Sequence, residues 1–69
     1  MVVICATKEA AAEVIMLLLG PYALLPRTDY RIADPQSGDT PITITRTLSV
    51  ERLAQLRAAI EKIPDTIIQ

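Results

Sequence analysis

The chain has 69 residues, seven of them basic and eight acidic, for a formal net charge of −1. Without a basic excess it lacks the surface that neutralises phosphates, so we do not expect nucleic acid as a partner. Cys5 is the single cysteine and histidine is absent, which excludes an internal disulfide and disfavours a bound metal or other cofactor.

The first predicted element is a strand over residues 1–6, MVVICA, whose β-branched residues without polar alternation indicate burial on both faces. A helix over 8–19 follows, because Thr7 can cap it and the segment is rich in strong helix formers. The pair Gly20-Pro21 ends this helix, since neither residue favours its continuation.

Two strands joined by a turn are predicted next. Residues 21–26, PYALLP, form either an edge strand or a covering loop, because Pro26 cannot donate to a sheet. The strands 28–34 and 41–47 form a hairpin around the turn DPQSGDTP, in which Gly38 can adopt a positive φ. In the strand 28–34 the alternation of side chains places Tyr30 and Ile32 on one face of the sheet and Asp29 and Arg31 on the other.

The second helix is predicted from Ser49, its cap, to Pro64, which ends it. Its apolar side chains recur at spacings of three and four, which is typical of a core-facing stripe: Val50, Leu53, Leu56, Ile60 and Ile63. The closing segment TIIQ, residues 66–69, predicts a last short strand.

The resulting order β-α-β-β-α-β predicts one α+β domain over 1–69. Two right-handed crossovers joined by a hairpin give a ferredoxin-like plait. Its antiparallel sheet has the strand order 4-1-3-2, with both helices on one face. The second strand is then an edge strand, which agrees with Pro26.

The first helix has more apolar residues than one stripe needs. Ala11, Val14, Ile15 and Leu18 suffice for its core face. The segment 21–26 could fold back over the excess; alternatively, the excess forms an interface with another chain, most simply a second copy. The candidate interface residues are Met16, Leu17, Leu19, Tyr22, Leu24 and Leu25.

An enzymatic role is not expected. Nucleophilic catalysis requires a base beside the nucleophile, and the chain has no histidine. Cys5 lies in a strand predicted to be central, where a buried thiol is inert. The aspartates near the hairpin are typical of turn formers. The predicted central strands also lack the aromatic residues with which RNA-binding plaits stack bases.

Three arginines flank the predicted hairpin. Arg27 and Arg31 lie on or near the second strand, and Arg46 lies on its neighbour. They could converge on a small anionic ligand, because arginine forms bidentate bonds to carboxylates and phosphates. The alternative is that they protect the sheet edge and pair with Asp29 or Asp34.

The sequence therefore predicts a non-enzymatic interaction or regulatory module, acting as a homodimer or docking on a larger protein. Its alternative function is the binding of a small anion by the arginines. No apolar run is long enough to cross a membrane. Lys8 and Glu9 interrupt the first apolar run after seven residues, so we do not expect it to be a secretory signal. With a free thiol, these features favour the cytoplasm.

Overall fold

The structure, a computed structural model, describes residues 1–35 and 37–69. Its elements are β1 (Val2–Cys5), α1 (Lys8–Leu19), β2 (Tyr30–Ile32), β3 (Thr40–Ile44), α2 (Val50–Glu61) and β4 (Thr66–Ile68). Gly38 has the predicted positive φ, at 89°. Gln36, which the predicted turn includes, lies outside the described residues.

The four strands form one antiparallel sheet in the order β2-β3-β1-β4. This is the predicted order 4-1-3-2 counted from the opposite edge. β1 is central: Val3 is paired with Ile42 of β3 on one side and with Ile68 of β4 on the other. The α+β class with four antiparallel strands and two helices is thus confirmed.

Both helices begin at the predicted caps. The Thr7 hydroxyl accepts a hydrogen bond from the Ala10 N–H at 3.0 Å, and the Ser49 hydroxyl accepts one from the Arg52 N–H at 3.2 Å. At the end of α1 a side chain on Gly20 would come within 3.0 Å of the Met16 carbonyl oxygen, which favours glycine there. Within the described residues, no helix has the length and apolar character that a membrane span requires.

The core lies between the helices and one face of the sheet. It contains Val3 and Cys5 of β1 and Ile42 and Ile44 of β3, with Ala10, Ala11, Val14 and Leu18 of α1 and Leu56 and Ile60 of α2. The opposite, open face carries the alternate residues, among them Ile4, Thr43 and Ile67. Val3 and Cys5 therefore lie on the helix side of the sheet.

The hairpin strands are shorter than predicted. The predicted alternation of Tyr30 and Ile32 with Arg31 is confirmed by the β2–β3 register, but Asp29 precedes β2 instead of facing outward within it. Asp29 is only 4% exposed, whereas Ile32 is exposed at the far end of β2. The carbonyl of Asp29 accepts hydrogen bonds from the N–H groups of both Thr45 and Arg46, at 2.9 and 3.0 Å. This double contact turns the chain away from the sheet after Ile44, so β3 ends there.

The apolar stripe of α2 is buried only in its second half. Leu56 and Ile60 are core residues and Ile63 packs against the core. Val50, by contrast, is 86% exposed, and Leu53 is also exposed, contrary to the predicted stripe. The periodicity identified which side of α2 is apolar, but it could not show which of its turns other elements cover. The first turns of α2 extend beyond the core, so their apolar residues are exposed.

Candidate functional site

The outer face of α1 carries exposed apolar side chains. Met16 is 71% exposed, and Leu19 one turn later is also exposed. At 3.6 residues per turn, Met16 lies opposite the buried stripe that contains Val14 and Leu18. It cannot contribute to the core, and its exposure agrees with the prediction that α1 has more apolar residues than the core uses.

Met16 borders a shallow groove between α1 and α2, which we call the α1 groove. The α1 groove has a volume of about 370 Å³ and is lined by Glu13, Met16, Leu17, Pro21, Ala59 and Ile63. Ala59 and Ile63 were not predicted to be near it. The small side chain of Ala59 on the apolar side of α2 is the signal that could have located it, because a small residue leaves space between packed helices.

The segment after α1 divides the predicted interface residues. Leu24 is 4% exposed and belongs to the core, whereas Leu25 is 59% exposed. The Leu24 N–H donates to the Leu18 carbonyl at 2.8 Å, which folds the segment back over the end of α1. Leu24 is therefore removed from the candidate interface, and the segment acts in part as the covering loop of the first interpretation.

Tyr22 is half-buried and held by α2. The guanidinium of Arg52 lies 5.3 Å from the centroid of the Tyr22 ring, and its Nη2 donates to the Tyr22 carbonyl at 3.3 Å. A cation stacked on an aromatic ring contributes about 0.5–1 kcal/mol at an exposed site. The contact ties the segment after α1 to α2, which the sequence did not indicate.

Asp29 organises the chain before β2. Its Oδ2 accepts a hydrogen bond from the Leu25 N–H at 2.8 Å, and its Oδ1 accepts one from Arg46 Nη1 at 3.2 Å. The hydrogen bond from Leu25 and the nearby Arg46 charge lower the pKa of Asp29, although its burial acts in the opposite direction. The predicted pairing of Arg46 with Asp29 is present, and the carboxylate is engaged on both oxygens.

The three arginines do not converge on one pocket. Arg27 and Arg31 line a shallow surface pocket beside Tyr30. Arg46 lines a separate pocket with Asp29 and Arg52. An anion bound by all three would require Arg46 to leave Asp29, so the structure brings together only two members of the predicted set. Anion binding by these arginines stays a prediction.

Comparison with protein families, curated proteins and solved structures adds no relative. The chain matches no family model, no curated protein and no solved structure. The functional argument therefore depends on the residues themselves. Among the described residues, no three histidine, cysteine, aspartate or glutamate side chains come together in a cluster that could hold a metal ion.

We expect Cys5 to react with a thiol reagent only after unfolding. Its side chain has no exposed surface, and burial raises the pKa of the thiol, which lowers the fraction of reactive thiolate. Labelling of the native protein should be about 10²- to 10³-fold slower than labelling in denaturant, because it must await opening of a fold that is stable by only about 3–5 kcal/mol. Timed labelling followed by mass spectrometry measures the ratio. Comparable rates would contradict the central position of β1.

Proposed function

We propose that this chain is a non-enzymatic interaction module with a ferredoxin-like fold, and that the α1 groove is where a larger protein docks. The observation that carries the proposal is the exposure of Met16 above an apolar groove. Contiguous exposed apolar surface on a small domain is typical of protein-binding sites. Methionine suits such a site because its unbranched, polarisable side chain adapts to a partner.

The groove also indicates what kind of segment binds. Its floor is apolar, while Glu13 lines it and Glu9 lies one turn earlier on the same outer face of α1. A partner that complements this pattern inserts an apolar side chain and places a basic residue beside the two carboxylates. We therefore propose a basic, amphipathic segment of a larger protein as the occupant.

A non-enzymatic role is supported by the positions of the polar groups. The thiol of Cys5 is buried, and the carboxylate of Asp29 is engaged with Leu25 and Arg46. Neither group has a base or a second acid beside it in the described part of the chain. General acid–base and nucleophilic catalysis both require such a neighbour within hydrogen-bond reach.

Replacing Met16 by lysine should weaken binding of the larger protein by about 10–100-fold, because buried anchor side chains carry most of the affinity at an interface. The free protein should change in stability by no more than about 0.5 kcal/mol, since the residue is exposed. Proteins that co-purify with the native chain are identified, and each candidate is then purified and titrated against the native and variant chains by calorimetry.

The matched control is Ile32→Lys, the same change of charge at an exposed apolar residue of β2. It should leave binding unchanged, because Ile32 lies away from the α1 groove. The proposal fails if every purified partner binds the Met16 and Ile32 variants equally well, or if no purified protein binds the native chain.

A further inference from the structure

The outer edge of β4 is open. In the sheet order β2-β3-β1-β4, β4 is an edge strand. The Ala6 N–H donates to the Asp65 carbonyl and the Gln69 N–H to the Val2 carbonyl, each at 2.8 Å. The backbone groups of antiparallel strands alternate in direction along each strand. The N–H and C=O groups of Ile67 therefore point toward β1, like those of Asp65 and Gln69, while those of Thr66 and Ile68 point outward.

The two edges of the sheet differ in how they are protected. At the β2 edge, Pro26 lies alongside Tyr30, and the Arg27 N–H donates to the outward Tyr30 carbonyl at 2.8 Å. Arg31 adds a charge to that strand. β4 itself contains neither a proline nor a charge, which are two of the devices that keep an edge strand unpaired, and Pro64 and Asp65 lie before its first residue.

Exposed apolar side chains flank the β4 edge on both sides of the sheet. Ile67 is 66% exposed on the open face. On the helix side, α1 packs on β1 and β3 while α2 packs on β4. At 3.6 residues per turn, Val50 and Leu53 lie on the flank of α2 that faces away from Ala59 and hence away from α1. This flank, with two exposed apolar residues, is therefore on the β4 side of α2.

We propose that β4 pairs antiparallel with β4 of a second copy of this chain, in the register that places Ile67 opposite its own counterpart. The outward groups of Thr66 in one copy then meet those of Ile68 in the other, so every exposed N–H of the edge gains an acceptor. The two Ile67 side chains meet across the dyad on the open face, as a non-hydrogen-bonded pair with close side chains. This inference does not depend on the α1 groove.

A second copy fits this edge better than an unrelated strand. A two-fold axis makes the interface self-complementary, because the same short apolar segment supplies both sides. A standard interface buries about 800 Å² per partner. The three residues of β4 cannot supply that area alone, so Val50 and Leu53 take part.

The first experiment measures mass by sedimentation equilibrium over a micromolar concentration series. The native chain should dimerise, and Ile67→Lys should raise the dissociation constant by about 10–100-fold, because two like charges then face each other across the dyad. An equimolar mixture of Ile67→Lys and Ile67→Glu should dimerise again. Ile32→Lys, the same change at the protected β2 edge, should behave like the native chain, and so should Met16→Lys.

The second experiment locates the interface by amide hydrogen exchange at low and high protein concentration. The Thr66 and Ile68 amides should become protected as the concentration rises, while the Ile67 amide, bonded within the sheet, is protected throughout. A native chain that stays monomeric overturns the inference. So does a dimer that Ile67→Lys leaves intact, or one in which the Thr66 and Ile68 amides exchange as in the monomer. None of these outcomes affects the proposed binding at the α1 groove.

Discussion

Replacing Leu24 by alanine is expected to lower the free energy of unfolding by about 2–5 kcal/mol, whereas replacing Leu25 should change it by no more than about 0.5 kcal/mol. The two leucines are adjacent, but only Leu24 is in the core. Its deletion leaves a cavity beside the end of α1. In a domain of this size the core rarely contributes more than about 3–5 kcal/mol of net stability, so the Leu24 variant should lose a large share of its stability.

Urea unfolding followed by circular dichroism measures both variants against the native chain. Leu24→Met is the rescue control, because a substitution that conserves volume usually costs less than about 1.5 kcal/mol. Equal losses in the Leu24 and Leu25 variants would mean that the segment 21–26 does not cover the core. A loss of partner binding in the Leu25 variant alone would assign that residue to the docking surface beside the α1 groove.

The starts of both helices could be predicted to the residue because a cap acts locally, whereas α2 ends at Glu61, before the predicted stop at Pro64. A cap acts on the N–H groups of the next turn, so Thr7 and Ser49 define the starts of α1 and α2 without help from the rest of the fold. The strand order could be predicted for a different reason. The handedness of crossover connections leaves few ways to arrange four strands and two helices.

The ends of the hairpin strands could not be predicted because a distant contact sets them. Asp29 ends β3 through its carbonyl and holds the preceding turn through its carboxylate. Nothing in the alternation of polar and apolar residues distinguishes this aspartate from an exposed one. One feature of the sequence does hint at the role of Asp29: it directly precedes Tyr30, a core residue. At such a position a short side chain with an acceptor oxygen can accept hydrogen bonds from nearby backbone N–H groups.

The candidate site could be predicted in part. An apolar excess on α1 indicated that some of its residues are exposed, and Met16 and Leu19 are. The sequence could not separate Leu24 from Leu25, because the path of the segment depends on backbone conformations that residue type does not favour. Ala23 has φ 51° and Arg27 has φ 71°, values that non-glycine residues rarely adopt.

The pH dependence of stability should contain a contribution from Asp29. Because its pKa is lower in the folded protein than the ordinary 3.8, folding favours the ionised carboxylate. The stabilisation is therefore present above the pKa of the unfolded chain and is lost as the pH falls through the folded-state value. The pKa of Asp29 is lowered first by the Leu25 N–H and then by Arg46, because both donate hydrogen bonds to the ionised carboxylate.

Asp29→Asn should lower stability at neutral pH and flatten this acid limb. An amide has one oxygen to accept from Leu25 or from Arg46, and its NH₂ group then faces the other donor. The donor left without an acceptor destabilises the turn, and with no carboxylate the variant has no titration at this position. Urea midpoints measured from neutral pH down to about pH 2 report both effects, because carboxylates titrate in that window. Asp34→Asn, which removes the same charge from an exposed loop, should follow the native curve. A parallel acid limb in the Asp29 variant and the native chain would show that the carboxylate does not organise the turn.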